Sequence, residues 1–185
     1  KREEYTKHII KMGKQHIRKN MITDARSKYP VKTEEFDQNT NLFNCKNGTY
    51  NLETGTLQKH NPEDYISKIS NVYYDPAAPG TEIEKFMNTI MQGNKKNIEY
   101  IQKILGLALM GNTDEEKLFI FYGPSTRNGK STLVETFLFM IKDYGTTMQP
   151  ESLALSKKDS RSASSDIARL KGVRFVDAPE PPQSM

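Results

Sequence analysis

A glycine, an ammonium and two hydroxyls follow one another at Gly129, Lys130, Ser131 and Thr132, and that succession suits a polyphosphate. These residues close the run LFIFYGPSTRNGKST at positions 118–132, where an apolar stretch enters a turn-rich loop and LVETFLFMI continues with a helical pattern. A strand, a phosphate-binding loop and a helix are expected in that order. A helix N-terminus offers an anion N–H donors and about half a positive charge. Glycine lets the backbone come close, and Lys130 reaches the terminal phosphates as a mobile point charge. The Ser131 hydroxyl would complete the shell of a magnesium ion that the phosphates also ligate. ATP with Mg2+ is the ligand pair these residue types call for.

The spacing departs from the usual pattern. Five residues, Pro124, Ser125, Thr126, Arg127 and Asn128, separate Gly123 from Gly-Lys, one more than the common motif allows. A loop one residue longer than usual is the reading that the flanking strand and helix patterns favour. The alternative is a structural strand-turn-helix connection with no ligand.

A phosphate loop needs an acid at the end of a neighbouring parallel strand, to hold the magnesium shell and to orient or deprotonate the attacking water. VRFVDAPEP, from residue 173, supplies Asp177 within a strand-like run and Glu180 beyond it. Ligands of open α/β sheets collect at such carboxyl ends. Asp177 is assigned to the metal and Glu180 to the water and metal; the other reading makes either one a loop-facing carboxylate.

The elements that must position these residues follow from periodicity. A helix is expected over residues 3–26 from Tyr5, Ile9, Met12, Ile17, Met21 and Ala25, weakened at Gly13 and ended by Pro30. Asn47-Gly48 and Thr54-Gly55 then divide a polar stretch into a small antiparallel meander, read as a surface module. ISKISNVYYDP reads as a short strand. Two amphipathic helices follow, the first from Thr81 or Glu82 with Ile83, Phe86, Met87, Ile90 and Met91 buried, the second over residues 97–110. After the phosphate-loop helix come a strand candidate at 146–148, a polar loop SKKDSRSASS, a helix DIARLKG capped by Ser165 or Asp166, and the strand 173–178.

Composition sets outer bounds. Hydrophobic residues make up 35% and charged residues 27%, the balance of a soluble globular chain, and no apolar run is long enough for a membrane span. No signal-peptide pattern opens the chain, so a cytoplasmic location is expected. The single cysteine, Cys45, excludes an internal disulfide and a cysteine-rich zinc site, and reads as an inert core residue. Net charge is +4, yet residues 1–32 carry +7 and the rest −3. Such a basic segment can bind DNA through its phosphates; the plainer reading is a solvated helix face. Both ends look cut, which suggests a piece of a longer chain.

The series NGTYNLETGTLQKHNPEDY, YYDPAAPG, IEYIQKILGLALMGNTDEEKLFIFYGPSTRNGKSTL and LKGVRFVDAPEP resembles the helicase part of phage and plasmid primase-helicases. These are superfamily III members related to the poxvirus nucleoside-triphosphatase primase. The resemblance runs from about residue 41 to the C-terminus. It implies an AAA+ type ATPase core, a hexameric ring, and ATP-driven unwinding of DNA at a replication origin or fork, in a bacterial host's cytoplasm. By the match Lys130 and Ser131 take the triphosphate and magnesium roles, and Glu180 stands where the family places its second-motif acid. It also places the family's sensor asparagine, arginine finger and DNA-contacting hairpin beyond Met185, and a primase domain upstream.

The fold expected is an α+β N-terminal module, helices plus a small antiparallel β meander, followed by the first half of an α/β P-loop ATPase core. Three segments are expected: a basic helical segment and linker at 1–40, a meander and helix-pair module at 41–112, and an incomplete ATPase core at 113–185. Two other functions stay open. One is a different P-loop enzyme, such as a kinase or a loader of replication factors; the other is a non-catalytic DNA-binding or assembly module.

Overall fold

Residue patterns divide the chain into two units, Lys1–Phe36 and Asp37–Met185, in a computed structural model that describes residues 2–112, 114, 116–123, 127–150 and 168–179. In the first unit the expected single helix is two, α1 (Arg2–Met12) and α2 (Gln15–Lys28). The break falls at Gly13-Lys14, where Lys14 turns extended (ψ 136°) and its N–H bonds to Lys11 rather than continuing the ladder. Glycine is the residue whose helical state costs most backbone entropy, so the interruption falls there. Glu3 and Glu4 begin α1, and Arg26 and Lys28 end α2, each matching the helix dipole. Neither helix has a buried residue; Met12 and Ile17, on either side of the break, are half-buried.

The second unit opens with a three-stranded antiparallel meander, β1 (Leu42–Cys45), β2 (Gly48–Asn51) and β3 (Thr56–Gln58), in that spatial order. Cys45 pairs with Gly48, so the tight turn is Lys46-Asn47 and Gly48 is already in the strand. The second turn is built by Asn51, whose Oδ1 accepts from the N–H groups of Glu53 and Thr54, with Gly55 left-handed at φ +69°.

The meander is not the surface module its polarity suggested. Leu42, Phe43, Cys45 and Thr49 are buried, and only β3 is exposed throughout. Its polar groups are bonded internally: the Asn44 amide nitrogen donates to the Lys68 carbonyl, and Thr49 donates to Asn44 Oδ1. Burial also pushes the Cys45 thiol up, as expected of an inert core cysteine.

The expected strand at 66–76 does not form. Its backbone is shared between two neighbours, since Ser70 N–H bonds to Asn44, Lys46 N–H to Val72, and Asn71 N–H to Met140. A segment bonded to a strand and to a helix end cannot run a regular ladder with either.

Helices α3 (Thr81–Ile90) and α4 (Lys95–Met110) follow the expected pattern, with Asn94 capping α4 and left-handed Gly111 (φ +60°) ending it. Met87, Ile101 and Ile104 form a core with Leu133, backed by Phe86, Ile90, Met91 and Ile98. Ile83 departs from expectation: it is exposed, one turn too early to reach α4.

Residues 118–122 do not form the expected strand. Their alternation is still that of a strand: Phe119 and Phe121 pack into the Met87 core, while Leu118, Ile120 and Tyr122 are 76%, 79% and 85% exposed. Among the described residues no neighbouring strand pairs with this run.

After α5 (Lys130–Ile141) a single tight turn, Lys142–Tyr144, reverses the chain into β4 (Gly145–Thr147), which pairs in parallel with β5 (Phe175–Asp177). A second core gathers Phe43, Cys45, Phe137, Ile141 and Tyr144, so the meander and α5 share one interior. The polar loop and the start of the helix expected at 166–172 lie outside the described residues. The end of that segment is a turn closed by left-handed Gly172 (φ +70°).

Candidate functional site

Lys130 is the first residue of α5, and the residue before it, Gly129, caps the helix from a left-handed conformation (φ +83°) with no side-chain cap. The first-turn N–H groups of a 12-residue helix therefore face outward without a capping side chain. Gly129 has a second constraint, because a Cβ there would lie 2.5 Å from Cγ2 of Ile90. The end of α3 thus seats the loop directly.

Three of the expected loop residues come together. Lys130 Nζ donates to Asn128 Oδ1 at 2.7 Å, and both side chains are half-buried. Gly123 lies against them: a Cβ on it would collide with the Asn128 amide nitrogen and lie 3.3 Å from Lys130 Nζ. Arg127 is left-handed (φ +59°) and exposed, and Ser131 and Thr132 are exposed on the first turn of α5. Pro124, Ser125, Thr126 and Glu180 lie outside the described residues.

Topology brings Asp177 to the same end. The turn after α5 makes β4 run back along the helix, and β5 is parallel to β4, so both strands end towards the start of α5. Phe175 meets Phe137 edge-on with ring centroids 5.1 Å apart, and two residues further along the strand Asp177 feels the charge of Glu135, nearer the helix start. Burial first, and then Glu135, push the Asp177 carboxyl above its usual range. Glu135 is four residues beyond Ser131 and shares its helix face.

This set fits a magnesium-bound triphosphate. Among the described residues no three His, Cys, Asp or Glu side chains cluster as an all-protein metal cage. Magnesium at phosphate sites takes one or two protein oxygens and completes its shell with phosphates and water. Asp177, a carboxylate raised by burial and by another carboxylate, is a group that a cation would favour in its charged form.

Arg174 was not singled out from the sequence and anchors the root of β5. Its guanidinium donates to the Leu109 carbonyl at 2.5 Å and the Leu42 carbonyl at 2.7 Å, and stacks over Tyr144 at 4.6 Å. Burial pulls it below its usual value, while Tyr144 and Asp37 act the other way. A lone arginine inside the apolar run VRFV is the signal that would have marked it. For Glu135, also missed, the signal is the i+4 spacing from Ser131.

Residues 1–92 match the D5 N terminal like family. The chain is 32% identical over 151 residues to "Putative helicase L207/L206" of Acanthamoeba polyphaga mimivirus, covering 80% of this chain and 16% of that protein. It is 27% identical over 141 residues to "Putative helicase 121R" of Invertebrate iridescent virus 3, covering 74% of this chain and 15% of that protein. Residues 1–92 thus carry a D5-N-like domain, and the chain is homologous to these viral putative helicases. The D5-N-like match runs from α1 to just past α3 and stops short of residues 123–132. The relatives reach further, because a stretch covering 80% of 185 residues necessarily includes positions 123–132. The chain spans about one-sixth of the length of either relative. Among the described residues no helix is long and apolar enough to cross a membrane.

Proposed function

We propose that this chain is part of an ATP-dependent DNA helicase of the primase-helicase kind, acting in replication of a viral or mobile genome in the host cytoplasm, and assembled as a hexameric ring. The observation that carries the reading is the placement of the Lys130 ammonium beside Gly123 at an uncapped helix start, with Asp177 at the end of the parallel strand pair on the same side. The relatives' names support the helicase assignment.

In this reading the backbone of residues 123–132 and the first turn of α5 hold the triphosphate, and Lys130 stabilises charge on the transferred phosphoryl group. Ser131 and Asp177 would hold Mg2+, which would supply positive charge to offset that of the phosphates. Glu180 is assigned to orient the attacking water and to serve the metal. Residues 1–40 form a basic helical segment, 41–112 a module leading into the motor, and 113–185 the first part of its core. ATPase and strand-displacement assays on the full-length protein test this. Lys130→Ala is expected to lower both by about 10²-fold or more. Turnover retained in that variant would sink the assignment.

A further inference from the structure

One side chain joins the two ends of the loop. Asn128 lies between two left-handed residues, Arg127 (φ +59°) and Gly129 (φ +83°), which turn its carboxamide inward. A cationic donor selects the oxygen end of a carboxamide, and Oδ1 accepts from Lys130 Nζ at 2.7 Å. The nitrogen end is then left facing Gly123, in the space a Cβ would fill. Glycine at 123 is therefore the seat of the Asn128 side chain as well as a flexible loop residue.

We propose that Asn128 is a positioning residue for the triphosphate site, holding the Lys130 ammonium in place from the Gly123 seat. The proposal rests on the ATPase reading above. A lysine side chain has four rotatable bonds and settles poorly without a partner. A neutral acceptor restricts it yet leaves its whole charge for phosphate, whereas a carboxylate in the same place would pair with the lysine and repel the ligand. That distinction explains why an amide suits position 128 better than an acid.

ATPase kinetics of the full-length protein separate the possibilities, with thermal unfolding of each variant alongside. Asn128→Ala is expected to lower kcat about tenfold with KM for ATP changed less than threefold. Asn128→Asp keeps an acceptor but adds charge, and is expected to raise KM about tenfold. Gly123→Ala displaces the carboxamide and should match Asn128→Ala. In the Asn128→Ala background the Cβ meets only the end of the flexible Lys130 side chain, at 3.3 Å, so the double variant should lose less than the product of the two single losses. A merely structural role would instead lower the unfolding temperature of the single variants and make their losses multiply. Wild-type kinetics in Asn128→Ala, or multiplied losses in the double variant, would overturn the proposal while Lys130→Ala remains inactive. An active Lys130→Ala would overturn the ATPase reading instead.

Discussion

At the scale of single residues, Asp177 couples site and stability. Its carboxyl is raised in the folded chain, so the fold binds that proton more tightly than the unfolded chain does. The associated stability is full below the unfolded value, near 3.8, and is lost as pH rises through the higher folded value. At neutral pH the charged carboxylate therefore works against folding, and Asp177→Asn should raise the urea midpoint at pH 7 but not at pH 3. The group is only partly buried, so screening keeps the gain to at most about 0.5 kcal/mol. Added Mg2+ with nucleotide should stabilise the wild-type chain and not this variant. Lys130, Ser131 and Asp177 could be singled out from the sequence, because the triphosphate chemistry proposed for them calls for side chains of few types. Glu135 and Arg174 were not, and Asn128 was named only as one member of the loop, since what distinguishes these side chains is the group they meet, and that is fixed by folding.

At the scale of elements, helix periodicity was read well where a partner exists to receive the apolar face. α3, α4 and α5 all have one, and their ends fell within about two residues of expectation. The helix in residues 3–26 has no buried stripe, so nothing outweighed the cost of Gly13, and it split. Gly13→Ala, whose Cβ would meet only backbone oxygens at 3.4 and 3.7 Å, should extend the helix and gain up to about 1 kcal/mol. Far-ultraviolet circular dichroism of the chain should show the added helicity; an unchanged spectrum would mean the break has another cause. Strands were harder to read. Residues 118–122 alternate as a strand should, but a strand is defined by its neighbour. The segment at 66–76 has neighbours of two different kinds. The meander's turns could be read from their glycines and asparagines, but its burial could not, because internal hydrogen bonds between polar residues leave no mark in composition.

At the scale of the whole molecule, the unit from Asp37 onwards is joined by groups far apart in sequence. Tyr144 accepts from the Asn44 N–H at 3.0 Å and donates to the Lys68 carbonyl, and Arg174 reaches Leu42 and Leu109. The meander, α4 and the root of the Asp177 strand are thereby tied at one point. Arg174→Met keeps much of the stem's packing but abandons both carbonyls, and should cost about 3 kcal/mol in urea unfolding. Arg174→Lys should recover only part of it, because an ammonium cannot span two acceptors as a planar fork does. A loss below about 1 kcal/mol in Arg174→Met would show that water replaces these bonds.

The same arginine sets a clock. It lies 132 residues beyond Leu42, and a ribosome adding about 5–20 residues per second takes roughly 7–26 s to cover that distance. Throughout that interval the meander exists without the donor that later closes over its first strand. Nascent chains stalled before residue 174 has left the exit tunnel should be cut readily within residues 42–58, and chains stalled well after it should resist. Equal protection at both lengths would mean that the meander closes unaided, and that Arg174 locks an interior already formed.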